Sequence, residues 1–96
     1  MLEPNQEPDW SVLRRRAIGE RIRTARRHRK MTQETLALVL GLDRRSIVRY
    51  ERSLRDPQLS VLIRIADALD VPLALLVDSS LELDMSDAHA DPRPEA

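Results

Sequence analysis

The chemistry this chain offers is concentrated in arginine. Arg45, Arg49 and Arg52 recur at i, i+4 and i+7, with Arg44 and Val48 beside them. At helical spacing these side chains share one face. Ile47, Tyr50 and Leu54 recur at i, i+3 and i+7 and are expected to point the other way, into a core. A guanidinium is always charged and presents a planar fork of N–H donors, which suits phosphate oxygens and guanine edges. Other site chemistry is scarce. His28 lies in a basic run and His89 in the acidic C-terminal stretch, neither with a spaced carboxylate and nucleophile set. Without cysteine there is no disulfide, thiolate metal site or cysteine nucleophile. No glycine-rich phosphate loop is present either. The expectation is a protein that is not an enzyme and uses no metal and no cofactor.

The residues around the arginines supply the means to position them. Thr32 is a suitable N-cap, since its hydroxyl can accept a hydrogen bond from a free backbone N–H of a first turn. Glu34 follows where negative charge meets the positive end of a helix dipole. Leu36, Ala37 and Leu40 make an apolar stripe, and Gly41 can take the left-handed conformation that ends a helix. Leu42 fills the turn, and Asp43 is a strong N-cap for the arginine-bearing helix. A short helix, a glycine turn and a basic second helix together suggest an element that enters a DNA groove.

The flanking sequence reads as scaffold. A first helix is expected from Asp9 or Ser11 to about Arg29, with Ile18, Ile22 and Ala25 inward and Val12 and Leu13 extending its apolar surface. Gly19 costs that helix roughly 1 kcal/mol relative to alanine, which implies the close approach of another helix. A short fourth helix is expected to start between Pro57 and Leu59, with Asp56-Pro57 supplying a cap residue and a first-turn proline. Leu59, Leu62, Ile65, Ala66 and Leu69 form its stripe, Val71-Pro72 breaks it, and Leu73–Val77 is a brief fifth helix. With no Phe, one Trp and one Tyr, the core must be aliphatic, and two glycines in all favour an all-α fold.

The stretch from about Ile18 to Val77 resembles the lambda-repressor-like helix-turn-helix domain of the Xre/Cro family of bacterial and phage regulators. The likeness is carried by Gly19-Glu20-Arg21-Ile22-Arg23, Arg26, Thr32-Gln33, Leu36-Ala37, Leu40-Gly41, Ser46-Ile47, Glu51-Arg52, Pro57, Ala66, Leu69 and Val71. It implies a five-helix fold in which the helix from about Arg44 to Arg52 reads the major groove. By that resemblance Arg44, Arg45 and Arg49 reach base edges; Val48 can either touch a thymine methyl or simply pack. Family members often carry glutamine where Arg44 and Arg45 stand, a departure that shifts preference from adenine toward guanine. Gln33 would anchor a phosphate, with Ser46, Arg52 and Arg55 as further phosphate candidates. Arg26 and Glu51 would form a partly buried ion pair between the first and third helices. Ser53 replaces the usual glycine; a left-handed serine there would add strain of roughly 1–2 kcal/mol, and the expectation is a slightly different helix end instead. Arg14, Arg15, Arg16, Arg27, Arg29 and Lys30 are expected to be solvated.

Net charge is zero, yet the charges are segregated. Residues 14–55 carry fourteen Arg or Lys against four acids, whereas residues 56–96 carry nine acids against two arginines. A segregated basic field is the electrostatic footprint expected of a DNA binder. The expected layout is a flexible N-terminal arm at 1–10, a DNA-binding domain at 11–78 and an acidic tail at 79–96. That tail is expected to be flexible, to join a dimer contact or to bind a protein partner. Its Leu81, Leu83 and Met85 alternate with polar residues. Leu73, Leu75, Leu76 and Val77, with Leu81 and Leu83, are candidates for a two-fold homodimer interface that Trp10, Val12 and Leu13 can join. No apolar run approaches the ~20 residues of a membrane span, and the first nine residues lack a signal-peptide core. The expectation is a cytoplasmic regulator binding double-stranded DNA, most simply a repressor. The alternatives are an antitoxin-type autoregulator and a protein–protein adaptor with the same fold.

Overall fold

The structure, a computed structural model, describes residues 9–78. Five helices follow in order: α1 (Asp9–His28), α2 (Gln33–Leu40), α3 (Arg44–Glu51), α4 (Leu59–Leu69) and α5 (Leu73–Val77). No strand occurs among the described residues. The fold of the described residues is all-α, as the sequence implies. The leading arm through residue 8 and the whole of the acidic tail from residue 79, with Leu81, Leu83 and Met85, lie outside the described residues.

The local boundaries follow from capping. The Thr35 N–H donates to Thr32 Oγ1 at 3.0 Å, opening α2. Gly41 takes φ +71°, and the Leu42 N–H then donates back to the Ala37 carbonyl at 2.9 Å. That pairing satisfies carbonyls the helix end would leave orphaned. Two residues later Asp43 opens α3, its carboxylate accepting from the Ser46 N–H at 2.9 Å. The turn between α2 and α3 is short because one residue ends a helix and the next but one starts another.

Ile22, Leu36, Ile47, Ile65, Leu69 and Leu76 are fully enclosed and form the centre of a single aliphatic core. Each comes from a different helix save Ile65 and Leu69, so every element contributes to one interior. Gly19 marks the tightest approach. A Cβ there would lie 2.7 Å from the backbone carbonyl oxygens of both Tyr50 and Glu51. The helix-propensity cost of this glycine is therefore offset by seating α1 directly on the end of α3.

Arginines tie the helix ends together. Arg29 donates to the Leu69 carbonyl at 2.7 Å and to the Asp70 carbonyl at 2.9 Å, closing the end of α4. Arg64 on α4 reaches the Leu40 carbonyl at the end of α2, and Arg21 on α1 reaches the Leu75 carbonyl of α5. A guanidinium at a helix C-terminus both fills an orphan acceptor and meets the negative end of the dipole.

Several expectations need correction. Arg29 is a helix tie and not a solvated charge, and Arg15 pairs with Asp56 at 3.5 Å. Leu54 is 70% exposed, because α3 stops at Glu51 and the chain turns away. Ser53 is left-handed at φ +60°, so the glycine-type conformation is kept and the serine bears the strain. Gln58, with no side-chain cap, opens α4 in place of Asp56-Pro57, leaving Leu59 exposed. Leu13, too, is exposed.

Candidate nucleic-acid interface

The exposed face of α3 is the chemical centre of the molecule. Ile47, Tyr50 and Glu51 are buried, which fixes the rotation of the helix about its axis. Arg44, Arg45 and Arg49 are then exposed on the far side, with Val48 half-buried between the two faces. Asp43 holds the N-terminal end of this helix, and its carboxylate also accepts from the Ser46 hydroxyl at 2.9 Å. These two hydrogen bonds from Ser46, backbone first, lower the Asp43 pKa below its ordinary 3.8, and Arg45 and Arg49 add smaller electrostatic contributions in the same direction. The cap is thus a carboxylate at neutral pH, and it stands beside the arginines without neutralising the face they share.

Ser46 is placed differently from its expected part. Its only O–H proton is donated to Asp43, so in this arrangement it has none to give a phosphate. Arg52 and Arg55 are exposed at and beyond the C-terminal end of α3.

Behind α3 lies a connected polar unit. Arg26 Nε donates to Glu51 Oε2 at 2.6 Å and its Nη2 donates to Glu51 Oε1 at 3.0 Å. Arg26 Nη1 donates to the Met31 carbonyl at 2.8 Å, so the guanidinium also braces the link between α1 and α2. Both ionic groups are buried, at 7% exposure for Arg26 and 6% for Glu51. Gln33 joins them, its Nε2 donating to Glu51 Oε1 at 3.1 Å. This hydrogen bond uses one of the two N–H donors of the Gln33 amide. Sequence reasoning did not find this link, since nothing in the spacing of Gln33 and Glu51 signals it.

These groups line a cleft of about 430 Å³ between the end of α1 and the start of α2. Arg23, Arg27 and Arg52 converge on it beside Thr32 and Gln33. The Glu51 carboxylate in its wall is taken up by Arg26 and Gln33. The cleft therefore presents positive charge and N–H donors, a setting for an anionic oxygen. Among the described residues no cluster of His, Asp or Glu could hold a metal ion, and no helix is long and apolar enough to cross a membrane.

Residues 22–76, more than half the chain, match the model of a helix-turn-helix family. The chain belongs to that family, in its Xre/Cro branch. This helix-turn-helix protein is 36% identical over 60 residues to an uncharacterized HTH-type transcriptional regulator of Bacillus subtilis, covering 62% of this chain and 52% of that one. It is 37% identical over 60 residues to the immunity repressor protein of Bacillus phage phi105, covering 62% and 42% respectively. It thus spans about half the length of these curated relatives. Among solved structures, the restriction-modification controller protein C.AhdI from Aeromonas hydrophila superposes with a TM-score of 0.61 at 36% identity, covering 64% of this chain and 92% of that one. The P22 c2 repressor, solved in complex with a synthetic operator, gives 0.60 at 31% identity over 64% and 92%.

The fifth helix departs from the part expected of it. Leu76 is fully enclosed in the protein's own core, so it is withdrawn as an interface residue. Leu73, Leu75 and Val77 are half-buried against that same core. The larger exposed apolar side chains are elsewhere, among them Trp10, Leu38, Val39 and Leu54.

Proposed function

We propose that this protein is a sequence-specific DNA-binding transcriptional regulator, acting as a repressor that occupies a promoter. The observation that carries this reading is the exposed triad Arg44, Arg45 and Arg49 on a helix whose other face is locked into the core. A relative named as a repressor and a structural neighbour held on an operator support it. In this reading α3 enters the major groove with its N-terminal end foremost. The three arginines read guanine O6 and N7, each good bidentate pair discriminating by ~1–3 kcal/mol. Val48 meets a thymine methyl. Gln33, Arg52 and Arg55 hold phosphates and set the register without reading sequence.

One copy of α3 spans too few base pairs to specify a site, so the working unit in this reading is a two-fold homodimer. Its half-sites lie about one helical turn apart. Leu73, Leu75 and Val77 supply the remaining apolar surface of α5 for that contact.

Selection of bound sites from random duplex DNA tests the reading. The expected result is a pair of inverted, guanine-containing half-sites whose centres are separated by about 10 base pairs. Recovery of no motif, with binding lost at modest salt, would instead indicate sequence-independent attraction to the phosphate backbone and overturn it.

A further inference from the structure

A second groove, of about 370 Å³, lies on the opposite end of α1, between that helix and the chain leaving α3. Its base is apolar, formed by Ile18, Tyr50 and Leu62, with the exposed Trp10 indole at one side. Arg14 and Arg55 stand exposed on its rim and have no acidic partner among the described residues. Arg15 and Asp56, also in the lining, are already paired with each other. An occupant must therefore bring apolar groups for the base and carboxylates for the two rim arginines.

The chain contains such a segment. Leu81, Leu83 and Met85 alternate with Glu82 and Asp84, and residues 79–96 carry five acids against Arg93 alone. An extended chain turns alternate side chains to opposite faces. Apolar residues of this run can then face the groove base while the acids face the longer rim arginines. The route is short as well. Arg21 holds Leu75 at the end of the fold, and Ile18 and Arg14 lie three and seven residues back along the same face of α1. At ~1.5 Å per residue, that path runs back about 5–10 Å. Leu81 is six residues beyond Leu75, a reach of up to ~20 Å.

The geometry points to residues 81–85 of this chain as the occupant of the groove, with Glu82 and Asp84 on Arg14 and Arg55. A docked segment covers Trp10 and withholds Arg55 from other anions. If the DNA reading above is right, the tail thereby competes with a backbone phosphate and lowers affinity for DNA of any sequence.

Trp10 is the sole tryptophan, so its fluorescence reports on this groove directly. The full-length chain is compared with a full-length variant carrying Leu81→Asn, Leu83→Asn and Met85→Asn. These positions lie outside the described core, and far-UV circular dichroism checks that helicity is kept. Expected is a red-shifted Trp10 emission and stronger acrylamide quenching in the variant, reversed by adding a peptide of residues 79–91. Arg14→Ala with Arg55→Ala should reproduce the loss of shielding. Identical quenching in parent and tail variant overturns the proposal. So does shielding that vanishes on dilution, which would place the segment on a second copy. On random-sequence duplex, the tail variant should bind more tightly, with a salt slope steeper by about one. Should neither protein bind DNA while the Trp10 difference holds, the docking stands and the DNA reading falls.

Discussion

At the scale of single residues, the Arg26–Glu51–Gln33 unit joins stability to the proposed site. Removing one member of a buried ion pair leaves the other charge enclosed without compensation, at a cost of ~3–5 kcal/mol. Glu51→Ala is therefore expected to lower the melting temperature by well over ten degrees, since each kcal/mol moves a domain of this size by about 4–8 °C. A thermal melt identical to the parent's would remove the pair from its structural part. Gln33→Ala is the informative companion. It breaks one half-exposed hydrogen bond, so its melting temperature should stay near the parent's while DNA affinity falls across all sequences. The ion pair was legible only through the family resemblance, since twenty-five positions separate its members and spacing says nothing over that range. The Gln33 link and the Ser46 donation to Asp43 were not legible at all. Each depends on which acceptor a short polar side chain finds once the helices have docked, and several lie within its reach in the unfolded chain.

At the scale of elements, the capping chemistry of Thr32, Gly41, Asp43 and Val71-Pro72 marks helix ends that the structure keeps. What misled was periodicity carried past a boundary. Leu54 and Leu59 fit the stripes of α3 and α4, but Ser53 turns left-handed and Leu59 is only the first residue of α4, so both leucines face outward. The arginine ties at helix ends were hidden for a related reason, because a long flexible side chain leaves no periodic trace. Two predictions belong at this scale. Gly19→Ala places a methyl 2.7 Å from two backbone oxygens of α3, neither of which can rotate aside. α1 must move off α3, and the expected loss is ~1–3 kcal/mol, the ordinary cost of overpacking, read from the urea midpoint. Greater stability in that variant would mean the contact is looser than described. The second concerns the cap of α3. Because the folded Asp43 pKa is depressed, its stabilisation is complete above the ordinary 3.8 and is lost as pH falls through the lower folded value. Asn caps nearly as well but does not titrate. The parent should accordingly be more stable than Asp43→Asn at pH 6, and this advantage should be gone in strong acid. A difference that is the same at both pH values would exclude the carboxylate as the source.

At the scale of the whole molecule, a chain of zero net charge keeps its positive charge in the stretch that holds α1 to α3 and its negative charge in the later residues. The fold itself was readable, since five apolar stripes with clear stops leave little choice but a small helical bundle. The use of α5 was not. In a five-residue helix, adjacent leucines differ only in the direction they face, and Leu76 is enclosed by the core while Leu75 is only half-buried against it. That distinction bears directly on assembly. The proposed dimer has only the half-buried Leu73, Leu75 and Val77 of α5 to offer, with no fully exposed anchor among them. Interface strength tracks a few well-buried anchors more than contact area, so the free protein is expected to dimerise weakly. A two-fold operator would add its own free energy by holding two copies side by side, so DNA and dimerisation should reinforce one another. Sedimentation equilibrium should therefore find a monomer–dimer equilibrium at micromolar concentration, shifted fully to two copies on a two-half-site duplex. Leu75→Glu should lower the melt of the monomer modestly, since Leu75 is half-buried against the core, but abolish the dimer and weaken binding to the two-half-site duplex far more than to a single half-site. Equal losses on both duplexes would show that each copy of α3 reads DNA independently, and the two-fold reading of the operator would then have to be given up.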